Sequence, residues 1–223
     1  MNIERIMAFG CSITYGEGLI DAQEKSPDLK KLIHEGMPPK SSKYAWPAAL
    51  GVTLDCDVKN FGYPGTSNKN ICNIVIQQKY KKNDIAVILW TDFSRTTFNT
   101  EKNKWFDIGP HSLATRKKTK SSVFYKHLYY DFNQNIENYS AINFAKLYLD
   151  SKGVKNYHFI WTTIPLEHME VPQWNSVDIQ YINIRDSENP NYIHLDYACD
   201  DMHPGPQTQN LIAYTMYNTI LND

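Results

Sequence analysis

Two short stretches near opposite ends of the chain carry groups suited to nucleophilic chemistry. The first is Gly10-Cys11-Ser12-Ile13-Thr14-Tyr15-Gly16, which follows the apolar run at residues 4–9. A hydroxyl placed where a strand gives way to a turn stands at the edge of a sheet, and its own backbone N–H faces a developing oxyanion. The same serine would also serve as an ordinary helix N-cap. The second stretch is Cys199-Asp200-Asp201-Met202-His203-Pro204-Gly205. An acid three residues before a histidine bends back to hydrogen-bond Nδ1–H, which fixes the tautomer and leaves Nε2 to take a proton from a hydroxyl. Pro204 and Gly205 interrupt regular structure and hold the histidine on a loop; an Asp–His pair in a surface turn would read the same way.

Other chemistries compete for these residues. Cys11 adjoins Ser12, and a thiolate paired with histidine is an effective nucleophile. Cys199, Asp200, Asp201 and His203 are metal-ligand types, but one histidine with no second cysteine nearby is a thin donor set. Asp201 stands beside Asp200 as a second acid that could orient His203.

A strand must deliver Ser12 and a loop must deliver His203. Residues 4–9 read as a short buried strand ending at Gly10, and residues 58–61 as another. Residues 85–90 (IAVILW) form a continuous apolar run, as in a parallel strand covered on both faces. Residues 157–161 (YHFIW) read likewise, and residues 192–195 as a last short strand. Helices are expected over 43–54, 68–81, 130–149 and 211–221, from apolar spacing. Residues 17–42 and 94–127 give no regular pattern and read as irregular insertions that could cover a site. Strands alternating with helices argue an α/β domain with a mostly parallel sheet, whose sites form beyond the carboxyl ends of the strands.

The two stretches together resemble the SGNH (GDSL-like) hydrolase family. GCSIT is similar to its nucleophile block and Asp200 to His203 to its D-x-x-H block, in the family's order and just before a final helix. Asn60-Phe61-Gly62-Tyr63-Pro64-Gly65-Thr66-Ser67 looks like its second block. The resemblance implies a three-layer α/β/α fold, flavodoxin-like, over residues 1–223 as one domain. It implies Ser12 as nucleophile rather than Cys11, His203 as base and Asp200, at the family's spacing, as the orienting acid. It implies an oxyanion hole built from the N–H groups of Ser12 and Gly65. The family's third block, G-x-N-D, is altered. The chain reads Trp90-Thr91-Asp92-Phe93-Ser94-Arg95, with Asp92 at the position of the asparagine that donates to the oxyanion. An ionised carboxylate only accepts hydrogen bonds, so Asp92 contributes there only if protonated; Thr91, Ser94 and Arg95 are the alternative donors. This block resembles a W-[ST]-x-x-x-R variant of phage-borne members. The implied activity is carboxylic ester hydrolysis through an acyl-enzyme, on a small-molecule or glycan ester such as a carbohydrate O-acetyl group, without metal or organic cofactor. O-acyl transfer, and a glycan- or protein-binding domain that has lost catalysis, are the alternatives.

Composition sets the surroundings. The 223 residues are 42% hydrophobic and 21% charged, with a net charge of -1, so nothing global points to nucleic acid or an anionic membrane. The basic run Arg116-Lys117-Lys118-Thr119-Lys120 reads as a solvated loop. The four cysteines form no C-x-x-C pair. No secretory leader or membrane span is evident, so a cytoplasmic chain with reduced thiols is expected. Trp105, Phe106, Phe124, Tyr125, Tyr129 and Tyr130 concentrate in the unassigned middle region, as a sugar-stacking wall or as ordinary packing. His194 has no assigned role.

Overall fold

Apolar runs become the central strands. In the computed structural model, which describes residues 2–22, 41–99, 105–110, 120–161, 177–182 and 195–223, β1 (Arg5–Gly10), β2 (Asp57–Gly62), β3 (Asp84–Trp90), β6 (Lys155–Ile160) and β7 (Ile179–Tyr181) form one parallel sheet in the order β2-β1-β3-β6-β7. All seven residues of β3 are buried, which is what a central strand covered on both faces requires. β2, at the edge, is more polar and partly exposed. β4 (Thr96–Asn99) and β5 (Trp105–Ile108) make a separate antiparallel hairpin.

Alternate residues of each strand feed two cores. Ile6, Ala8, Val87, Leu89 and Phe159 pack with Trp46 and Leu50 of α2 (Trp46–Leu54) and Ile212, Met216 and Ile220 of α6 (Pro206–Leu221). Met7, Phe9, Ile88, Trp90 and Ile160 pack on the other face with Ile71 and Val75 of α3 (Asn68–Ile76) and Tyr139, Ile142 and Leu149 of α5 (Asp131–Ser151). The result is the three-layer α/β/α arrangement with a mostly parallel sheet expected from the sequence.

The details differ from the sequence reading in several places. Residues 94–127, expected to be irregular, contribute the β4–β5 hairpin and α4 (Lys120–His127). Helix α6 begins at Pro206, five residues before the expected start. Its first turn is polar, but Thr208 and Gln209 are buried because their side chains are hydrogen-bonded. The closing strand of the sheet is β7. Most of the strand expected at 192–195 lies outside the described residues, as do His194, Arg116 to Thr119 of the basic run, much of 17–42 and the side chains of Trp105 and Phe106. Among the described residues no helix is long and apolar enough to cross a membrane.

Candidate active site

The strand register brings the candidate segments to one end of the sheet. Gly10 pairs with Gly62 on one side and Leu89 on the other, so the segments after β1, β2 and β3 leave the sheet side by side. Ser12 begins α1 (Ser12–Tyr15), a single turn laid across those strand ends. The close approach depends on Gly62, where a Cβ would lie 2.4 Å from the Tyr15 nitrogen. Asn60 Nδ2 donates to Thr14 O at 2.6 Å, Gln209 Nε2 donates to Ile13 O at 3.2 Å, and Trp46 Nε1 donates to Thr14 Oγ1 at 3.2 Å. Strand β2, helix α6 and helix α2 therefore all hold the Ser12 turn. Ser12 and Cys11 are both buried, and Ser12 Oγ donates to Cys11 Sγ at 3.9 Å.

The histidine loop is anchored by α6. Gly205, at its N-cap, has no side chain to cap with, and Asp196 takes that place. Its carboxylate accepts from the N–H groups of Gln207 (2.9 Å) and Thr208 (2.8 Å) and from Thr208 Oγ1 (2.8 Å). An antiparallel bridge between Tyr197 and Pro204, with Ala198 N–H donating to His203 O at 2.8 Å, closes the loop. Within it Asp200 accepts three hydrogen bonds: from Met202 N–H (3.1 Å), His203 N–H (3.0 Å) and His203 Nδ1 (2.6 Å). Burial alone would raise the Asp200 carboxyl, but those hydrogen bonds and the neighbouring imidazole outweigh it and hold it below the usual carboxylate range. Asp201 is exposed and sits in a left-handed conformation at φ 54°.

The two ends of the chain meet in the turn after α1. Glu17 N–H donates to Ser12 O at 3.0 Å, and Cys199 N–H donates to Gly18 O at 3.0 Å. Gly18, at φ 84°, lies against Asp200: a Cβ there would fall 2.6 Å from the carboxylate. The Glu17 side chain reaches His203, with Oε2 3.5 Å from Nε2. The imidazole is thus flanked by Asp200 at Nδ1 and Glu17 at Nε2. Ser12 joins His203 through the Glu17 turn rather than by a direct hydrogen bond.

The remaining candidates follow β2 and β3. Gly65 adopts φ 77°, and no atom of the described residues lies within 4 Å of a Cβ built on it. The Asp92 carboxylate accepts from Ser94 N–H at 2.7 Å and from Ser94 Oγ, closing a turn on itself. Thr91 N–H is taken by Asn68 Oδ1 at 2.8 Å. Arg95 Nη1 is buried without a hydrogen-bond partner among the described residues. Phe98, Phe124, Tyr125 and Tyr129 pack mostly edge to face at centroid distances of 5.2–6.2 Å, and Tyr125 OH donates to Ser94 O at 2.6 Å. The Tyr125 hydrogen bond thus ties α4 to the Asp92 turn. Among the described residues no three His, Cys, Asp or Glu side chains group to hold a metal ion, and all four cysteines are free.

Sequence reasoning missed Glu17, Asn68, Asp196 and Gln209. Glu17 between two glycines was the one local signal, since a polar residue in such a tight turn is held close to its neighbours.

Neither a protein-family model nor a curated protein matches the chain. Solved structures do. A protein assigned to the lipolytic G-D-S-L family from Desulfitobacterium hafniense superposes with TM-score 0.53 at 13% identity, covering 96% of this chain and 98% of that one. An acetyl xylan esterase from the rumen bacterium Butyrivibrio proteoclasticus gives 0.51 at 13%, covering 100% of this chain and 64% of that one. A carbohydrate esterase whose active site is described as having divergent catalytic and non-catalytic binding functions gives 0.52 at 13%, covering 99% and 65%. The chain spans about two thirds of the length of those two esterases. It has the SGNH hydrolase fold.

Proposed function

We propose that the chain is a serine-dependent carboxylic ester hydrolase. The observation that carries this reading is the 2.6 Å hydrogen bond from His203 Nδ1 to Asp200, which leaves Nε2 turned toward the segment that begins at Ser12. With Nδ1–H donated to Asp200, neutral His203 has its lone pair on Nε2, as a general base needs. Ser12 Oγ attacks the ester carbonyl while His203 Nε2 takes its proton. The tetrahedral oxyanion is held by the N–H groups of Ser12 and Gly65. Ser12 opens a helix, where a backbone N–H has no partner within the helix, and a Cβ built on Gly65 meets no atom of the described residues within 4 Å. Collapse expels the alcohol, which receives the proton from Nε2. Water then enters by the same route and releases the acid. Asp92 Oδ1 accepts from both Ser94 N–H and Ser94 Oγ, and Asp92 is assigned no donor role. The carbohydrate esterases among the similar structures favour an O-acylated sugar as substrate.

The test is turnover of p-nitrophenyl acetate, butyrate and octanoate by the wild type beside Ser12→Ala. Serine-dependent turnover, best with the shortest acyl chain, supports the reading. Equal turnover by Ser12→Ala removes it. A second reading, a binding domain of the same fold, is favoured by Asp92, because losing an oxyanion donor typically costs about 10²–10³ in rate. Saturable binding of acetylated oligosaccharide without turnover would select it. Acyl transfer to a sugar hydroxyl in place of water is the remaining variant, read by product analysis.

A further inference from the structure

A proton count fixes how the β4–β5 hairpin is joined to the residues after Gly65. Thr97 of β4 and Asp107 of β5 stand opposite each other in the hairpin, and Asp107 Oδ1 accepts from Thr97 Oγ1. An ionised carboxylate only accepts, and a hydroxyl has one proton to give. Thr97 Oγ1 is therefore left to accept from Ser67 Oγ, 2.5 Å away. The same Asp107 Oδ1 also accepts from Ser67 N–H at 3.3 Å. One carboxylate oxygen thus holds Ser67 twice, directly at its backbone and through Thr97 at its hydroxyl. Ser67 and Thr97 are both fully buried. Ser67 Oγ keeps a lone pair for Asn70 N–H, 3.4 Å away, as the N-cap of α3.

Ser67 directly follows the turn that carries Gly65. Thr66 N–H donates to Tyr63 O at 3.3 Å, and Pro64 followed by Gly65 at φ 77° supplies the central residues of a type II turn. The first residue of that turn is tied to the strand end before Ser12, with Tyr63 N–H donating to Gly10 O at 3.0 Å. Its last residue, Thr66, is joined to the clamped Ser67. The turn at residues 63–66 is therefore held from both ends, by β1 and by the hairpin. Resting on the hydrolase reading, we infer that Asp107 is a positioning residue for the oxyanion hole: through Ser67 it holds this turn so that Gly65 N–H meets the oxyanion formed on Ser12. Asp107 neither gives nor takes a proton in the covalent step. The Ser12 Oγ–acyl bond forms, the acyl–oxygen bond to the alcohol breaks, and the proton taken from Ser12 passes through His203 Nε2 to the alcohol.

A mimic of the oxyanion separates positioning from mere support of the fold. Asp107→Ala and Asp107→Asn are compared with the wild type for turnover of p-nitrophenyl acetate and for inhibition by a trifluoromethyl ketone, which adds to a serine as a hemiketal oxyanion and so reads transition-state binding. Rates are taken per folded molecule, judged by circular dichroism. Asp107→Ala is expected to lower kcat by about tenfold to a hundredfold with KM little changed, the scale of a displaced donor, and to weaken the ketone by the same factor. In Asp107→Asn the amide oxygen still accepts from Ser67 N–H, so both quantities should stay within about threefold of the wild type. If Asp107→Ala does not fold, Asp107→Glu keeps the charge and moves the acceptor by one methylene, and kcat and ketone affinity should again fall in step. Unchanged kcat in a folded Asp107→Ala, a fall in kcat without weaker ketone inhibition, or an equal fall in Asp107→Asn would each overturn the inference. Absence of Ser12-dependent turnover on every ester in the wild type would instead remove the hydrolase reading beneath it.

Discussion

Asn68 and Thr91 exchange two hydrogen bonds: Asn68 Oδ1 accepts from Thr91 N–H at 2.8 Å and Asn68 Nδ2 donates to Thr91 O at 2.9 Å. The side-chain amide thus pairs with the backbone just beyond β3 as a neighbouring strand would. Both residues are buried, and the same Nδ2 also donates to Asn138 Oδ1 at 2.8 Å. The start of α3, just past Gly65, is fixed in this way to the segment that leads into Asp92.

Asn68→Ala would leave the Thr91 N–H and C=O buried without partners. Each such group costs roughly 1–3 kcal/mol, so a loss of about 2–4 kcal/mol is expected from denaturant unfolding. Asn68→Asp should not rescue it, because a carboxylate cannot donate to Thr91 O.

Asp200→Asn keeps the shape of the side chain but lets its amide donate to His203, which favours the wrong tautomer. A fall in kcat of roughly 10³–10⁴ is expected, with KM little changed. Asp201→Asn, at an exposed position, should change kcat by less than about threefold. A larger effect at Asp201 than at Asp200 would reverse the assignment of the orienting acid.

His158 gives the fold a pH dependence of its own. It is buried in β6, stacked on Trp90, with Trp90 Nε1 donating to its Nδ1 at 3.1 Å and its Nε2 2.8 Å from Asn156 Oδ1. Burial, with the nearby Lys146 charge, pushes its pKa down from 6.5 to about 3. A histidine whose folded value is depressed takes up its proton more readily in the unfolded chain. Its contribution is present above the unfolded value of 6.5 and is lost progressively as pH falls from there toward 3. The full loss is at most about 5 kcal/mol. Stability measured by denaturant between pH 7 and 4 should fall less steeply in His158→Gln than in the wild type.

The thiols should separate by burial. Cys199 is exposed, whereas Cys11 and Cys72 are buried, and burial pushes the Cys72 thiol up to about 12. Iodoacetamide on the folded protein should modify Cys199 first, and Cys11→Ala should retain most of the activity. Loss of turnover in Cys11→Ala with an intact fold would make the thiol the nucleophile.

The sheet was largely legible in the sequence because β1, β3 and β6 are apolar runs whose burial is written in their composition. β7 was not, since three residues from Ile179 to Tyr181 owe their state to hydrogen bonds with β6. The start of α6 was hidden because Thr208 and Gln209 look like loop residues until their distant partners are known. Asp196 lies 12 residues from Thr208, and Ile13 lies 196 from Gln209. The Asp200–His203 pair was readable because its geometry is local, three residues apart. Glu17 reaches His203 only because the fold brings the turn after α1 against the loop before α6; its two flanking glycines mark a tight turn, but nothing along the chain says what that turn meets.

Ser12 as nucleophile and His203 as its base are tested by a serine-directed fluorophosphonate, with the adduct mapped by peptide mass spectrometry in the wild type and in His203→Ala. Modification at Ser12 is expected in the wild type, with labelling slower by at least about 10² in His203→Ala, the scale of a lost general base. An adduct confined to another residue, or Ser12 left unmodified in a folded wild type, would contradict it.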